Sequence, residues 1–234
     1  MTLDLDAFEI LSFDCYGTLV DWEAGIVAAL APVLARHGLS VPEPELLEAY
    51  ASLEAGQERM EPFRPYGRVL REVVDRLGRR FGFTASDTER SVLADSIGRW
   101  PPFPDTREAL RALRKRYRLA IISNVDDDLF AETARTLGVS FDWIVTAQQA
   151  GSYKPSLANF NLALARLAAP REKILHVAQS LYHDIEPATR LGLATVRIDR
   201  RRGRPGSGAT PPAEARADLD LPDLRSLATL AGLA

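Results

Sequence analysis

Two hydrophobic periods divide the chain. In "EILSFDCYGTLVDW" a short, continuous and largely apolar run, residues 10–13, leads directly into Asp14, as in a strand buried on both faces. From residue 22 to residue 98 the apolar positions recur every three to four residues instead. "EAGIVAALAPVLARHG" ends at a glycine and "PEPELLEAYASLEAGQERM" opens on proline and glutamate. "YGRVLREVVDRLGRRFG" and "SDTERSVLADSIGRW" follow, which predicts four helices and no strand in this stretch. The three prolines of "WPPFPD" break the run and predict a hinge. Beyond it, "DTREALRALRKRY", "DDDLFAETARTLG", "PSLANFNLALARLA" and "EPATRLG" read as helices, alternating with strands in "RLAIISN", "FDWIVTA", "KILHVA" and "ATVRID".

This alternation predicts an α/β fold: a doubly wound, Rossmann-like parallel sheet core with an inserted all-helical cap domain. Residues 1–20 and 99–234 are expected to form the core and residues 21–98 the cap. At 234 residues, 46% hydrophobic and 26% charged, the chain has the composition of a soluble globular protein with a sizeable core. A net charge of -3 argues against a nucleic-acid partner. The single Cys15 excludes an internal disulfide framework and fits a reducing compartment. "MTLDLDAFEI" lacks signal-peptide features and no apolar run spans a membrane, so a cytoplasmic protein is expected, without a membrane partner. The Gly-, Pro- and Arg-rich "RRGRPGSGATPPAEAR" reads as a solvated loop, with a basic phosphate-binding patch as the sharper alternative.

Candidate chemistry gathers at the predicted strand ends: Asp14, then Ser123 and Asn124, then Lys154, then "HVAQSLYHD" leading to Asp184. In a doubly wound sheet these ends converge on one crevice. There a carboxylate can attack an electrophile, a hydroxyl and an amide can hold an anion, a lysine can balance charge, and a second acid can position water or complete a metal site.

"FDCYGTLVD", "ISN", "GSYKPS" and "HVAQSLYHD", in this order, resemble the motifs of the haloacid dehalogenase superfamily over nearly the whole chain. The resemblance implies that Asp14 is the nucleophile, that Thr18 and Ser123 contact the substrate anion, and that Lys154 supports the charge. Superfamily phosphatases carry a second aspartate where Tyr16 stands and a "GDxxxD" motif where Ala178 and Gln179 precede Asp184, so the L-2-haloacid dehalogenase branch is the nearer match. Dehalogenases place an arginine of the halide cradle near the position of Ala51; Arg59 and Arg64 are the candidate substitutes. Gln179, Leu181 and Phe160 also depart from that branch.

Structural readings stand beside these. Asp14 fits a turn, Ser123 and Asn124 fit caps of the helix at Asp126, and Arg59 and Arg64 fit a solvated surface. His176 reads as a core histidine, His183 as pocket-lining or as a surface residue, and Tyr50 and Glu54 as crevice-facing or packed. Asn124, Tyr16 and His183 complete the candidate substrate-binding set. Three functions stay open: a 2-haloacid dehalogenase-like hydrolase, a magnesium-dependent phosphatase, and a non-catalytic binding protein. No cofactor is required under the first reading; magnesium, if bound, falls to Asp14 and Asp184. The expected partner is a small anionic substrate, a 2-halo acid or a phosphate ester, and the chain a monomer or homodimer.

Overall fold

Ile10–Phe13 (β1) lies near the centre of a sheet of parallel strands, and all four of its residues are buried. On one side it pairs with Arg118–Ser123 (β2), Phe13 opposite Ile121, and on the other with Ile174–Ala178 (β4), Phe13 opposite Val177. Trp143–Thr146 (β3), Ala194–Ile198 (β5) and Leu219–Leu221 (β6) complete the order β3-β2-β1-β4-β5-β6. The chain runs outward from β1 to β3 and returns to β4 on the far side, so the order switches at β1, where such sheets open a ligand crevice. The computed structural model describes residues 3–204, 206 and 208–233; Met1, Thr2, Pro205, Ser207 and Ala234 fall outside this set.

Alternation along the strands divides the interior in two. Ile10, Ala120, Ile122 and Ile174 pack on Phe160, Ala163 and Leu167 of Leu157–Leu167 (α8). Leu11, Phe13, Ile121 and Val177 belong to a larger cluster that continues into the helical insert. Each such side chain contributes roughly 1.5–3 kcal/mol on burial, which is why the strands read as unbroken apolar runs.

Between β1 and Thr106–Leu113 (α5) stand four α-helices: Trp22–Arg36 (α1), Glu43–Glu58 (α2), Tyr66–Phe81 (α3) and Asp87–Ser96 (α4). Each lies within the segment whose periodicity predicted it, and no named strand falls among them in the described residues. The hinge is a crossing of two chain segments: Asp21 N–H donates to Pro101 O (2.8 Å) and Phe103 N–H to Leu19 O (3.1 Å). At Gly25 of α1 a Cβ would lie 2.3 Å from the Trp100 ring, so only glycine lets α1 approach the hinge so closely. The N-terminus of α3 has no side-chain cap from Pro65; Asp126, from the loop after β2, accepts from Tyr66 N–H (2.8 Å) and Gly67 N–H (2.9 Å) and joins insert to core. After Asp126 come Asp127–Leu137 (α6) and, beyond β3, the single turn Ala147–Ala150 (α7).

Two elements, β6 and the helix Leu224–Leu230, lie beyond the segments read from the sequence; three residues of "LDL" are too short to show a period. One sequence reading is corrected. The arginine-rich loop is only partly solvated. Arg200 buries its side chain, pairs with Asp105 (2.7 Å), donates to Thr18 O (3.0 Å) and stacks over Phe103, while Arg201 pairs with Glu23. Ala209 N–H donates to Glu23 Oε1 (2.9 Å), fastening the loop to the insert. Among the described residues no helix is long and apolar enough to cross a membrane.

Candidate active site

Asp14 directly follows β1, and its N–H still donates to Val177 O of the neighbouring strand (3.2 Å), so the carboxylate starts from fixed backbone. The chain then turns through Gly17, at φ +91°, a region that glycine enters without strain. The turn brings Thr18 back: its Oγ1 donates to Asp14 Oδ2 (2.7 Å) and accepts from Gln179 N–H (2.9 Å). Lys154 occupies the other side. Its Nζ donates to Asp14 Oδ1 (2.9 Å), Asp184 Oδ1 (2.6 Å) and Ile122 O (2.8 Å), which uses all three ammonium hydrogens.

Asn124 explains how a buried lysine is held there. Its Oδ1 accepts from Lys154 N–H (2.7 Å) and its Nδ2 donates to Lys154 O (3.1 Å), so one side chain grips both backbone groups of the lysine. Neither Ser123 nor Asn124 caps α6, which is the correction to that reading. Asp184 lies in a π-helical turn, Leu181–Ile185, opened by Ser180, whose Oγ accepts from His183 N–H (2.9 Å). His176 is a core histidine with a second task. A carboxylate only accepts, so Nε2 donates to Asp184 Oδ1 (3.1 Å), while Nδ1 pairs with the Ser12 hydroxyl (3.0 Å).

Asp14, Tyr16, Ser123, Asn124, Lys154, His183 and Asp184 line one cavity of about 30 Å³. Thr18 does not reach it; its hydroxyl lies behind Asp14, committed in both directions. Tyr16 lines the wall, but its hydroxyl bonds Thr133 of α6 (2.8 Å). The insert supplies the opposite wall: Trp22 of α1, Glu54 and Glu58 of α2, and Tyr66 of α3. Glu54 Oε1 accepts from the hydroxyls of Tyr50 (2.8 Å) and Tyr66, so Tyr50 supports the wall without facing the cavity. Glu58 Oε1 accepts from Asn124 Nδ2 (3.1 Å), and its Oε2 stands 3.8 Å from His183 Nε2. Thr210 also lines the cavity; it, Glu58 and Tyr66 are not among the candidates read from the sequence. The spacing of Glu54 and Glu58, four apart on a helix, was the available signal. Ala51 is buried in α2; Arg59 is exposed, Arg64 donates to Gln57, and neither lines the cavity.

Burial pushes the Asp14 carboxyl up, and Lys154 and Thr18 oppose it. Burial also pushes Asp184 up, but Lys154 and His176 outweigh it and hold this carboxyl below its ordinary value. The ammonium, despite its own burial, is held above the usual lysine range by both carboxylates and stays charged. His183, desolvated, falls to about 4 and is neutral at pH 7. On the opposite wall burial lifts Glu54 to about 7 and Glu58 well above the ordinary glutamate value.

The model of a hydrolase family, haloacid dehalogenase-like hydrolase, matches residues 8–192. The chain belongs to the haloacid dehalogenase-like hydrolases. Among members of known name it is similar to haloacetate dehalogenase H-2 of Moraxella sp. (strain B), 27% identical over 82% of this chain and 86% of that protein. It is similar to the (S)-2-haloacid dehalogenase of Pseudomonas fluorescens, 26% identical over 82% and 84%. A crystal structure of an L-2-haloacid dehalogenase superposes with a TM-score of 0.81 at 26% identity, covering 97% of this chain and 100% of that one.

Some members of this haloacid dehalogenase-like family hold magnesium, and the donors here suit it poorly. Both oxygens of Asp14 already accept hydrogen bonds, Lys154 supplies the positive charge between the two carboxylates, and Ala178 offers no side-chain donor. Among the described residues no group of three His, Cys, Asp or Glu side chains is arranged to hold a metal ion. Asp184 Oδ2, buried and without a partner, is the one open carboxylate oxygen of the pair.

Proposed function

We propose that this hydrolase displaces halide from the 2-carbon of a small carboxylic acid, with Asp14 as the nucleophile. Asp14 attacks that carbon, the carbon–halogen bond breaks, and the electron pair leaves with the halide. Water then adds to the carboxyl carbon of the resulting ester, releasing a 2-hydroxy acid, one proton and the Asp14 carboxylate. The observation that carries this reading is the bridge from Lys154 Nζ to Asp14 Oδ1, 2.9 Å, with Thr18 on Oδ2: it favours the anion of an otherwise desolvated acid. Asp184, which lines the cavity and whose Oδ2 has no partner, is suited to orient the attacking water. Ser123 Oγ, also buried and unpartnered, is suited to the substrate carboxylate, with Asn124 and His183 beside it.

Tyr16 favours a halide over an alkoxide leaving group. Its hydroxyl is turned to Thr133 and burial holds it well above the ordinary tyrosine value, so it is a poor proton donor for a phosphate ester, whereas halide needs no proton. Residues 21–98 act in this reading as a cap that excludes water during attack, and residues 1–20 and 99–234 as the core. Turnover of 2-halo acids and phosphate monoesters, each with and without EDTA, tests the reading. Activity on halo acids that survives EDTA supports it. EDTA-sensitive phosphatase activity alone, or inactivity on both classes, contradicts it.

A further inference from the structure

The cavity wall opposite Asp14 carries two carboxyl groups that no cation in that wall balances. Glu54 and Glu58 stand one helical turn apart on α2 with buried side chains, and each accepts hydrogen bonds: Glu54 Oε1 from two tyrosine hydroxyls and Glu58 Oε1 from the amide of Asn124. A buried carboxylate without a counter-charge is costly, and like charges one turn apart add to the cost. Among the described residues lining the cavity Lys154 is the only cation, and its three hydrogens are spent on Asp14, Asp184 and Ile122 O. Neutral His183 faces Glu58 at 3.8 Å, beyond hydrogen-bond distance. Three further buried polar atoms in the same lining have no partner: Ser123 Oγ, Asp184 Oδ2 and His183 Nε2. Open polar atoms on one wall and unbalanced carboxylates on the other describe a site shaped for a polar ligand with a positive end.

We propose that Glu54 and Glu58 form a subsite for a positively charged nitrogen on the substrate, so that the acid processed at Asp14 carries an ammonium group. This rests on the reading of the Asp14 cavity as the reaction site. An ammonium presents three divergent donors and matches single oxygens of two carboxylates. Trp22 and Tyr66, in the same wall, are of the residue types that accompany cationic nitrogen. The subsite lies where Ala51, Glu54 and Glu58 of α2 offer no cation to a halide or a second carboxylate.

Calorimetric binding to the intact protein at about pH 8, above the value to which burial lifts Glu54, tests the proposal with three stable ligands: isoserine, lactate and methylammonium. Isoserine and lactate are 2-hydroxy acids that differ by the ammonium group. Isoserine should bind about tenfold more tightly than lactate, the worth of one charge-assisted contact, and methylammonium should compete with it. In Glu58→Gln and in Glu54→Gln, each confirmed folded by its melting transition, the preference should shrink toward unity. Equal affinity for isoserine and lactate in the wild type, no binding of isoserine, or a preference that survives both substitutions would overturn the proposal. None of these readings requires turnover, so they stand or fall apart from the covalent role of Asp14.

Discussion

The ammonium of Lys154 lies 2.9 Å from one oxygen of Asp14, and the two residues are 140 positions apart in the chain. The same ammonium holds Asp184 at 2.6 Å, so two desolvated carboxylates share one cation. Lys154→Ala leaves like charges facing each other in a dry site. Turnover should fall by roughly 10²-fold or more, as when an electrostatic partner of the reacting centre is removed. Stability should also fall, by about 3–5 kcal/mol at neutral pH, and recover in part on acidification as the stranded carboxylates take up a proton. Steady-state kinetics and thermal melts at two pH values check both effects.

Asn124 touches the lysine only through its backbone, on both sides. Asn124→Ala should therefore lower turnover while Lys154 is still present. A bound transition-state geometry that loses about 1 Å of precision costs on the order of 10²-fold. Burst kinetics on a 2-halo acid separate slower ester formation from slower hydrolysis, and the loss should fall on ester formation.

Glu54 makes stability depend on pH. Its carboxyl is raised to about 7 in the folded protein from an ordinary 4.5, so the folded state binds the extra proton between these values. The associated stabilisation is complete below about pH 4.5 and is lost as pH rises through 7, a difference of about 3 kcal/mol. Glu54→Gln keeps an acceptor for the tyrosine hydroxyls and removes the charge. Its melting temperature should vary less than that of the wild type from pH 5 to pH 8 and should exceed it at pH 8.

Gly25→Ala should be destabilising by about 1–3 kcal/mol, because the added methyl meets the Trp100 ring at 2.3 Å and either α1 or the hinge must yield. Denaturant unfolding measures it.

The core was readable where burial on both faces leaves a continuous apolar run, as at Ile10–Phe13, and the helical insert where a single period persists for dozens of residues. Lys154 was readable because a cation beside a helix start has no structural use there. Three features were not. β6 is too short to show a period, and Arg200 is buried by a partner, Asp105, that stands 95 positions earlier. The pair Glu54 and Glu58 shares one face of α2 by its four-residue spacing, and only the structure shows that this face meets the cavity of Asp14.

The central claim is that Asp14 is the atom donor to the product, and isotope placement tests it. With enzyme in excess over a 2-halo acid, a single turnover in oxygen-18 water is followed by mass spectrometry of the peptide that contains "ILSFDCYGTLVDW". A nucleophilic Asp14 forms an ester that water cleaves at the carboxyl carbon, so one heavy oxygen should appear in Asp14 and the 2-hydroxy acid should be unlabelled. Heavy oxygen in the product with an unlabelled Asp14 would mean that water attacked the substrate directly, with Asp14 as its base, and would contradict the account.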